Sequence, residues 1–252
     1  MHKILALWAV PRSTSTAFEW MMRTRGDMTC FHEPFGEVWY QGEDARWPRI
    51  KPDSPRTPGL TFDKVWQTLR DAAEKGPVFS KDFPHYIEHL WDDAFLAHFT
   101  HSFLIRDPAK VATSMHKHWP DFVLKEIGFV EQRQLFDRIS DQLGAAPPVI
   151  DSDDLLENPE GIVEAYCAAV DIPFMAEALT WEPGARDEVS WYDRGSWHGN
   201  LRDSDGLKPQ PRAYIDITEA PDRVKEIYDI VLPHYERLHA HRLTAPAPAK
   251  AG

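Results

Sequence analysis

The feature that most limits how this chain can fold is the apolar run Ile4-Leu-Ala-Leu-Trp-Ala-Val10 and the turn that follows it at once, Pro11-Arg12-Ser13-Thr14-Ser15-Thr16. The run is too short to span a bilayer. The Arg-bearing turn after it offers no A-x-A-like cleavage site, so it does not read as a secretory signal. It reads instead as a buried strand, Lys3 to Val10, of the kind found in parallel sheets covered on both faces. The turn then delivers Arg12 and the hydroxyls of Ser13, Thr14, Ser15 and Thr16 to a helix N-terminus. Unpaired N–H groups and the positive end of the helix dipole favour an anion there. Arg12 adds a permanent, fork-shaped charge that matches phosphate or sulfate oxygens. The plainer alternative is that the hydroxyls only cap the helix.

Apolar runs continue to alternate with helical spacing. A helix is predicted from Ser15 to Arg25 and stopped by Gly26, followed by a strand from Met28 to His32. A helix from Phe62 to Lys75, a strand from Pro77 to Lys81 and a strand from His101 to Arg106 come next. Asp107-Pro108 caps and opens a helix that carries Val111, Met115 and Trp119 at four-residue spacing. Pro148 to Ser152 reads as a strand, and Asn158-Pro159 repeats the cap-and-proline signature before Ile162, Val163, Tyr166 and Val170. Trp39 to Gly59, rich in proline and aromatics, shows neither period and is expected to be an ordered surface excursion or lid. The Ala/Pro-rich tail from Thr244 to Gly252 is expected to be disordered. The expected fold class is α/β, a three-layer sandwich with a central, mostly parallel sheet, in one domain over residues 1–243. Ligands of such sheets bind at the carboxyl ends of the strands.

The first loop departs from the nucleotide-hydrolysing P-loop, G-x-x-x-x-G-K-[ST], whose lysine bridges phosphates. With Thr16 on the final hydroxyl, Ser15 stands at the lysine and neither glycine is present. Arg106 ends a predicted strand and Ser114 follows eight residues later, two turns up a helix, so both can point into one cleft. Their bland roles are a surface ion pair and an ordinary helical serine. His32-Glu33-Pro34-Phe35 and Lys81-Asp82-Phe83-Pro84 stand at two further strand ends, and Arg194-Gly195-Ser196-Trp197-His198-Gly199-Asn200 forms a late loop.

In order and spacing these stretches resemble the PAPS-dependent sulfotransferase family (PAPS is 3′-phosphoadenosine-5′-phosphosulfate), from about Lys3 to Asn200. Pro11 to Thr16 is similar to its 5′-phosphosulfate loop, with Thr14 where the family has glycine. Arg106 and Ser114 resemble its 3′-phosphate pair. Val149 to Ile162, with Asp153-Asp154, resembles a late structural strand and helix start. Arg194 to Asn200 more loosely resembles the loop that closes over the 3′-phosphate and adenine, where the family carries Arg-Lys-Gly.

The resemblance implies a P-loop NTPase-like sulfotransferase fold, PAPS as donor, and metal-free in-line transfer of the sulfuryl group to a small-molecule acceptor. It implies donor-site roles for Arg12, Ser13, Thr14, Ser15, Thr16, Arg106, Ser114, Arg194 and Gly195. Animal-type cytosolic members place their base histidine where Phe83 stands here, while Lys81 still matches a residue that touches the sulfuryl oxygens. Glu33 is similar to the Glu-Pro carboxylate of bacterial and carbohydrate members and is the candidate base; Asp82 and His85 stay open as alternatives. Arg12, Glu33 and Lys81 are thus the candidate catalytic set. A capping or ion-paired carboxylate is the plainer role for Glu33. A small-metabolite P-loop kinase and a non-catalytic nucleotide-binding protein on the same fold are the competing readings.

The net charge of −12 over 252 residues argues against nucleic-acid or anionic-membrane partners, yet a few arginines in one cleft can still hold a small anion. Cys30 and Cys167 lie far apart without metal-type spacing, which fits a reducing, cytoplasmic compartment. His116 and His118 diverge on their helix, and no metal site is expected. Most of the ten tryptophans belong in the core; Trp191, Tyr192 and Trp197 near the late loop are candidates to stack on adenine or acceptor. The pattern leaves open the acceptor's identity, oxygen against nitrogen as the accepting atom, and monomer against homodimer.

Overall fold

The apolar run becomes β1 (Ile4–Ala9), buried at every position. The computed structural model describes residues 2–189, 199–209 and 214–245. After β1 come α1 (Ser15–Thr24), β2 (Thr29–His32), α2 (Pro34–Gln41), α3 (Phe62–Lys75) and β3 (Val78–Asp82). Short helices α4 (Pro84–Ile87) and α5 (Asp93–Leu96) lead to β4 (Phe99–Ile105), α6 (Pro108–His118), α7 (Leu124–Ile127) and α8 (Phe129–Leu143). Then follow β5 (Val149–Asp151), α9 (Ser152–Glu157), α10 (Pro159–Ala169), α11 (Gly199–Arg202) and α12 (Asp222–His239).

The strands form one sheet in the order β2-β3-β1-β4-β5, with every pairing parallel. Successive side chains of a strand point to opposite faces, and β4 makes the layering visible. Ser102 reaches Tyr166 of α10 at 3.3 Å, while its neighbour Phe103 packs edge-on against Phe136 of α8 at 5.4 Å. Phe18 of α1 meets Tyr166 on the first face, and Trp66 of α3 stacks on Phe99 on the second. The sheet is therefore sandwiched between helices. Because β1 lies between β3 and β4, the chain reverses its direction of winding at the β1–β4 pair, where sheets of this kind open a crevice.

Three expectations change. Trp39 to Gly59 is not wholly without regular structure: Trp39 to Gln41 close α2, because Pro34 starts a helix whose Phe35, Val38 and Trp39 are buried on one face. Asp82 belongs to β3 and not to the turn after it. The helices α4, α5, α7 and α8 are not foreseen. The apolar stripe of α8 (Phe129, Leu135, Phe136, Ile139) is interrupted by the buried polar residues Glu131 and Gln132, which blurs its period.

Gln132 explains the interruption. Its Nε2 donates to the carbonyls of Trp8 at 3.0 Å and Leu104 at 2.9 Å, tying β1 and β4 to α8 just before the loops that carry Arg12 and Arg106. Gln132→Met fills the same space without the two donors and should destabilise the fold by about 1–3 kcal/mol, read from the urea midpoint. An unchanged midpoint would show that the clamp is not needed.

Candidate active site

The loop after β1 is held in an unusual backbone. Arg12 and Thr14 have φ of 63° and 71°, a left-handed region that L-residues occupy at a cost. Ser13 Oγ donates to the Val10 carbonyl at 2.6 Å, and Ser152 Oγ of α9 donates to Thr14 Oγ1 at 2.8 Å. The Thr14 carbonyl receives Ala17 N and Phe18 N and so starts α1. Ser15 and Thr16 lie in the first turn, where backbone N–H groups have no acceptor within the helix. Thr14 thus adopts the conformation that glycine takes most easily.

Arg106, one residue beyond β4, is 4% exposed. Its Nη1 donates to the Arg12 carbonyl at 2.7 Å and its Nη2 to the Tyr214 hydroxyl, and the Tyr214 ring lies 5.2 Å away. Its Nε is buried without a hydrogen-bond partner among the described residues. Ser114, two turns up α6, accepts from Arg12 Nε at 3.1 Å. Lys110 lies between them in sequence, pairs with Asp153 at 2.7 Å and approaches the Tyr214 ring at 5.7 Å.

Glu33 caps α2 with φ of 44°, and its N–H donates to the Lys81 carbonyl at 2.7 Å across the β2–β3 edge. Its carboxylate pairs with the Lys81 ammonium. Lys81 is fully buried on β3 and lies 4.0 Å from Glu19 of α1. Glu19 accepts from His32 Nδ1 at 2.6 Å and Arg23 Nε at 2.8 Å. Asp82 is buried beside them and accepts from the N–H groups of Phe35 and Phe83, both at 2.9 Å. Burial pushes the Asp82 carboxyl well above its usual value despite those two bonds. Burial also drives the His85 imidazole down to about 3.

These groups surround a cavity of about 460 Å³. Pro11 to Ala17, Glu33, Arg106, Lys110 and Tyr214 line it, and so do Tyr40, Phe83, Tyr86, Met115, Trp119 and Glu126. Of the three candidate bases only Glu33 is on the wall; Asp82 and His85 are packed away from it. Lys81 stands behind Glu33, and Ser114 behind Arg12. Among the described residues no cluster of His, Cys, Asp and Glu could hold a metal ion. Residues 2–240 match the family described as sulfotransferase domain. The chain belongs to that family.

Two Arabidopsis thaliana proteins, branched-chain-amino-acid aminotransferase-like proteins 1 and 2, are similar to this sulfotransferase domain at 24% and 25% identity over 98% and 95% of the chain. The chain spans only 44% and 42% of their lengths. Among solved structures, the sulfotransferase domain of the Synechococcus PCC 7002 olefin synthase overlays with a TM-score of 0.50. It shares 13% identity, covering 92% of this chain and 95% of that one, so the likeness concerns the fold.

Within the sulfotransferase domain, Arg12 to Thr16, Arg106 and Glu33 meet around one cavity. Arg194, Gly195, Trp191, Tyr192 and Trp197 lie outside the described residues. Lys110, Tyr214, Tyr40, Tyr86 and Glu126 on the wall were not singled out by sequence. The helical spacing that placed Met115 and Trp119 on one face did mark that face, although it reads equally as packing. For Tyr214 no sequence signal exists.

The buried charges yield a pH test. Burial raises the Glu19 carboxyl, but His32, Lys81 and Arg23 outweigh it and lower its pKa from 4.5 to about 2. A folded value below the unfolded one adds stability that is complete above the unfolded pKa and is lost as pH falls through the folded one. The contribution is on the order of 3 kcal/mol. Urea midpoints of the wild type and Glu19→Gln should therefore differ most at pH 7, begin to close below pH 4.5 and converge only as pH approaches 2. A gap of constant size would show that the Glu19 charge is not what stabilises.

Proposed function

We propose that this sulfotransferase domain moves the sulfuryl group of PAPS onto a hydroxyl or amine of a small-molecule acceptor. The observation that carries the proposal is the meeting of two anion-binding segments 94 residues apart, where Arg106 donates to the Arg12 carbonyl and keeps one buried N–H unpartnered. The loop over Arg12 to Thr16 suits the 5′-phosphosulfate, and Arg106 with Ser114 suits the 3′-phosphate that separates PAPS from ATP. Lys110 adds a third cation on that wall. The absence of the P-loop lysine at Ser15 counts against ATP.

The acceptor atom attacks sulfur in line, the bond from sulfur to the 5′-phosphate oxygen breaks, and adenosine 3′,5′-bisphosphate leaves. Like phosphoryl transfer, such a reaction gains chiefly from positioning and charge stabilisation. Arg12 and the loop N–H groups face the charge that builds on the leaving oxygen. Glu33, on the wall, takes the acceptor proton. Lys81 acts through Glu33, holding its carboxylate in place from behind. The free thiols Cys30 and Cys167 suit a reducing, cytoplasmic setting. No described helix is long and apolar enough to cross a membrane.

Calorimetric titration with adenosine 3′,5′-bisphosphate, without magnesium, tests the donor half. Binding should be tighter than for ATP with magnesium, and Arg106→Ala should weaken it by tenfold or more, ~1.4 kcal/mol. Preference for ATP with magnesium, or no binding of either, would overturn the proposal. Glu33→Gln should retain bisphosphate affinity and lower kcat by roughly 10²–10⁴-fold. Loss of affinity with kcat unchanged would remove Glu33 from the base role.

A further inference from the structure

The wall around Glu33 differs in kind from the wall around Arg106. Phe83 touches Tyr86 at 5.3 Å and the Lys81 ammonium at 5.2 Å, Tyr86 touches Tyr40 at 5.9 Å, and Tyr40 touches Trp47 at 5.5 Å. Trp47 in turn lies 6.2 Å from Trp119. Glu33 and Glu126 are the carboxylates set among these rings, and each is already paired.

The pairing of Glu126 is complete. Arg49 donates Nε to Oε1 at 2.9 Å and Nη2 to Oε2 at 2.7 Å, the two-pronged geometry that arginine favours. Trp47 Nε1 adds a bond to Oε1 at 2.8 Å and Val123 N one to Oε2 at 2.7 Å, which leaves no lone pair for a ligand. The Arg49 guanidinium lies 4.3 Å from the Trp119 ring centre and 5.6 Å from that of Trp47, and its Nη1 reaches Asp121 at 2.7 Å. Arg49 sits in the stretch between α2 and α3, so this clamp fastens that stretch to α7 and holds the Trp119 wall.

We propose that this end of the cavity takes an acceptor with an uncharged, apolar body, and that Arg49 sets this selectivity by neutralising Glu126. The proposal rests on the sulfuryl-transfer reading only in calling the ligand an acceptor. An anionic body would meet ring faces and carboxylates of its own sign, and a cationic body would gain only the rings' cation–π attraction, less than the hydration it loses while both carboxylates are already paired. Removing the Arg49 charge leaves the Glu126 carboxylate on the wall unbalanced, which favours a cation. Removing the Glu126 charge leaves Arg49 facing Asp121 alone, which favours an anion.

Three phenols that differ in the charge of the side group serve as probes: 4-ethylphenol, tyramine and 4-hydroxyphenylacetate, titrated into protein saturated with adenosine 3′,5′-bisphosphate. The wild type should bind 4-ethylphenol at least tenfold tighter than either ion, ~1.4 kcal/mol. Arg49→Met, which keeps an apolar stem between the two indoles, should improve tyramine about tenfold relative to 4-ethylphenol. Glu126→Gln should shift selectivity toward 4-hydroxyphenylacetate, and the double variant should restore the wild-type order. Wild-type binding of either ion as tight as the neutral probe, binding of none of the three, or an equal shift for all three in both variants would overturn the proposal. Failure of the bisphosphate itself to bind strikes the donor reading instead. The same probes titrated into the free protein then decide the charge selectivity by the same criteria.

Discussion

The cavity depends on backbone held where it would not rest by itself. Arg12, Thr14 and Glu33 are three of the four non-glycine residues with positive φ among the described residues, and all three are on the cavity wall. Each costs about 1–2 kcal/mol. The strain is held by bonds from elsewhere in the fold: Ser13 to Val10, Ser152 to Thr14, Arg106 to Arg12 and Glu33 to Lys81. Those partners stand on β3 or directly after β1, β4 and β5, so the loops keep their shape only while the parallel strands stay in register. Strain stored at a site and balanced by the scaffold is a recurring arrangement where a ligand must be met by preset N–H groups.

A second dependence runs beneath that wall. Glu33, Lys81, Glu19 and His32 form a continuous buried polar network from β2 across β3 to α1, which the half-buried Arg23 closes at its outer end. Burying such groups is unfavourable unless every member is paired, and losing one strands the others. The same α1 begins at the loop over Arg12 to Thr16. The carboxylate proposed as base and the loop proposed to hold the leaving phosphate are thereby fixed to one helix, which helps set the distance between them.

Much of this was legible in the residues, and for identifiable reasons. The uninterrupted run of β1 and the cap-and-proline pairs Asp107-Pro108 and Asn158-Pro159 leave local marks that tertiary packing does not override. Arg12 and Arg106 could be paired in advance because each follows a strand, and parallel strands put their exits on one side. The aromatic wall was less legible. Tyr40, Tyr86 and Glu126 come from helices too short, or too mixed in polarity, to show a period. Tyr214 reaches the cavity by way of a late segment without any periodic signal. The buried state of Lys81 is equally invisible in sequence, since a lysine at a strand end looks the same whether it faces a ligand or a carboxylate behind the wall.

The two halves of the cavity are joined by a single helix. Along α6, Lys110 and Ser114 serve the cationic end, while Met115 and then Trp119 at its C-cap serve the aromatic end. A helix rises 1.5 Å per residue, so Lys110 and Trp119 stand roughly 13 Å apart along its axis. One rigid element thus carries both a cation at the end proposed for the donor phosphates and a ring at the end proposed for the acceptor. The Arg49 clamp fixes the far end of that element, and the Arg12–Ser114 bond fixes its middle. Shifting the aromatic wall would therefore also move the end proposed for the donor, because the same helix carries both. On the proposed reading, selectivity for the acceptor and placement of the donor are consequences of the same packing.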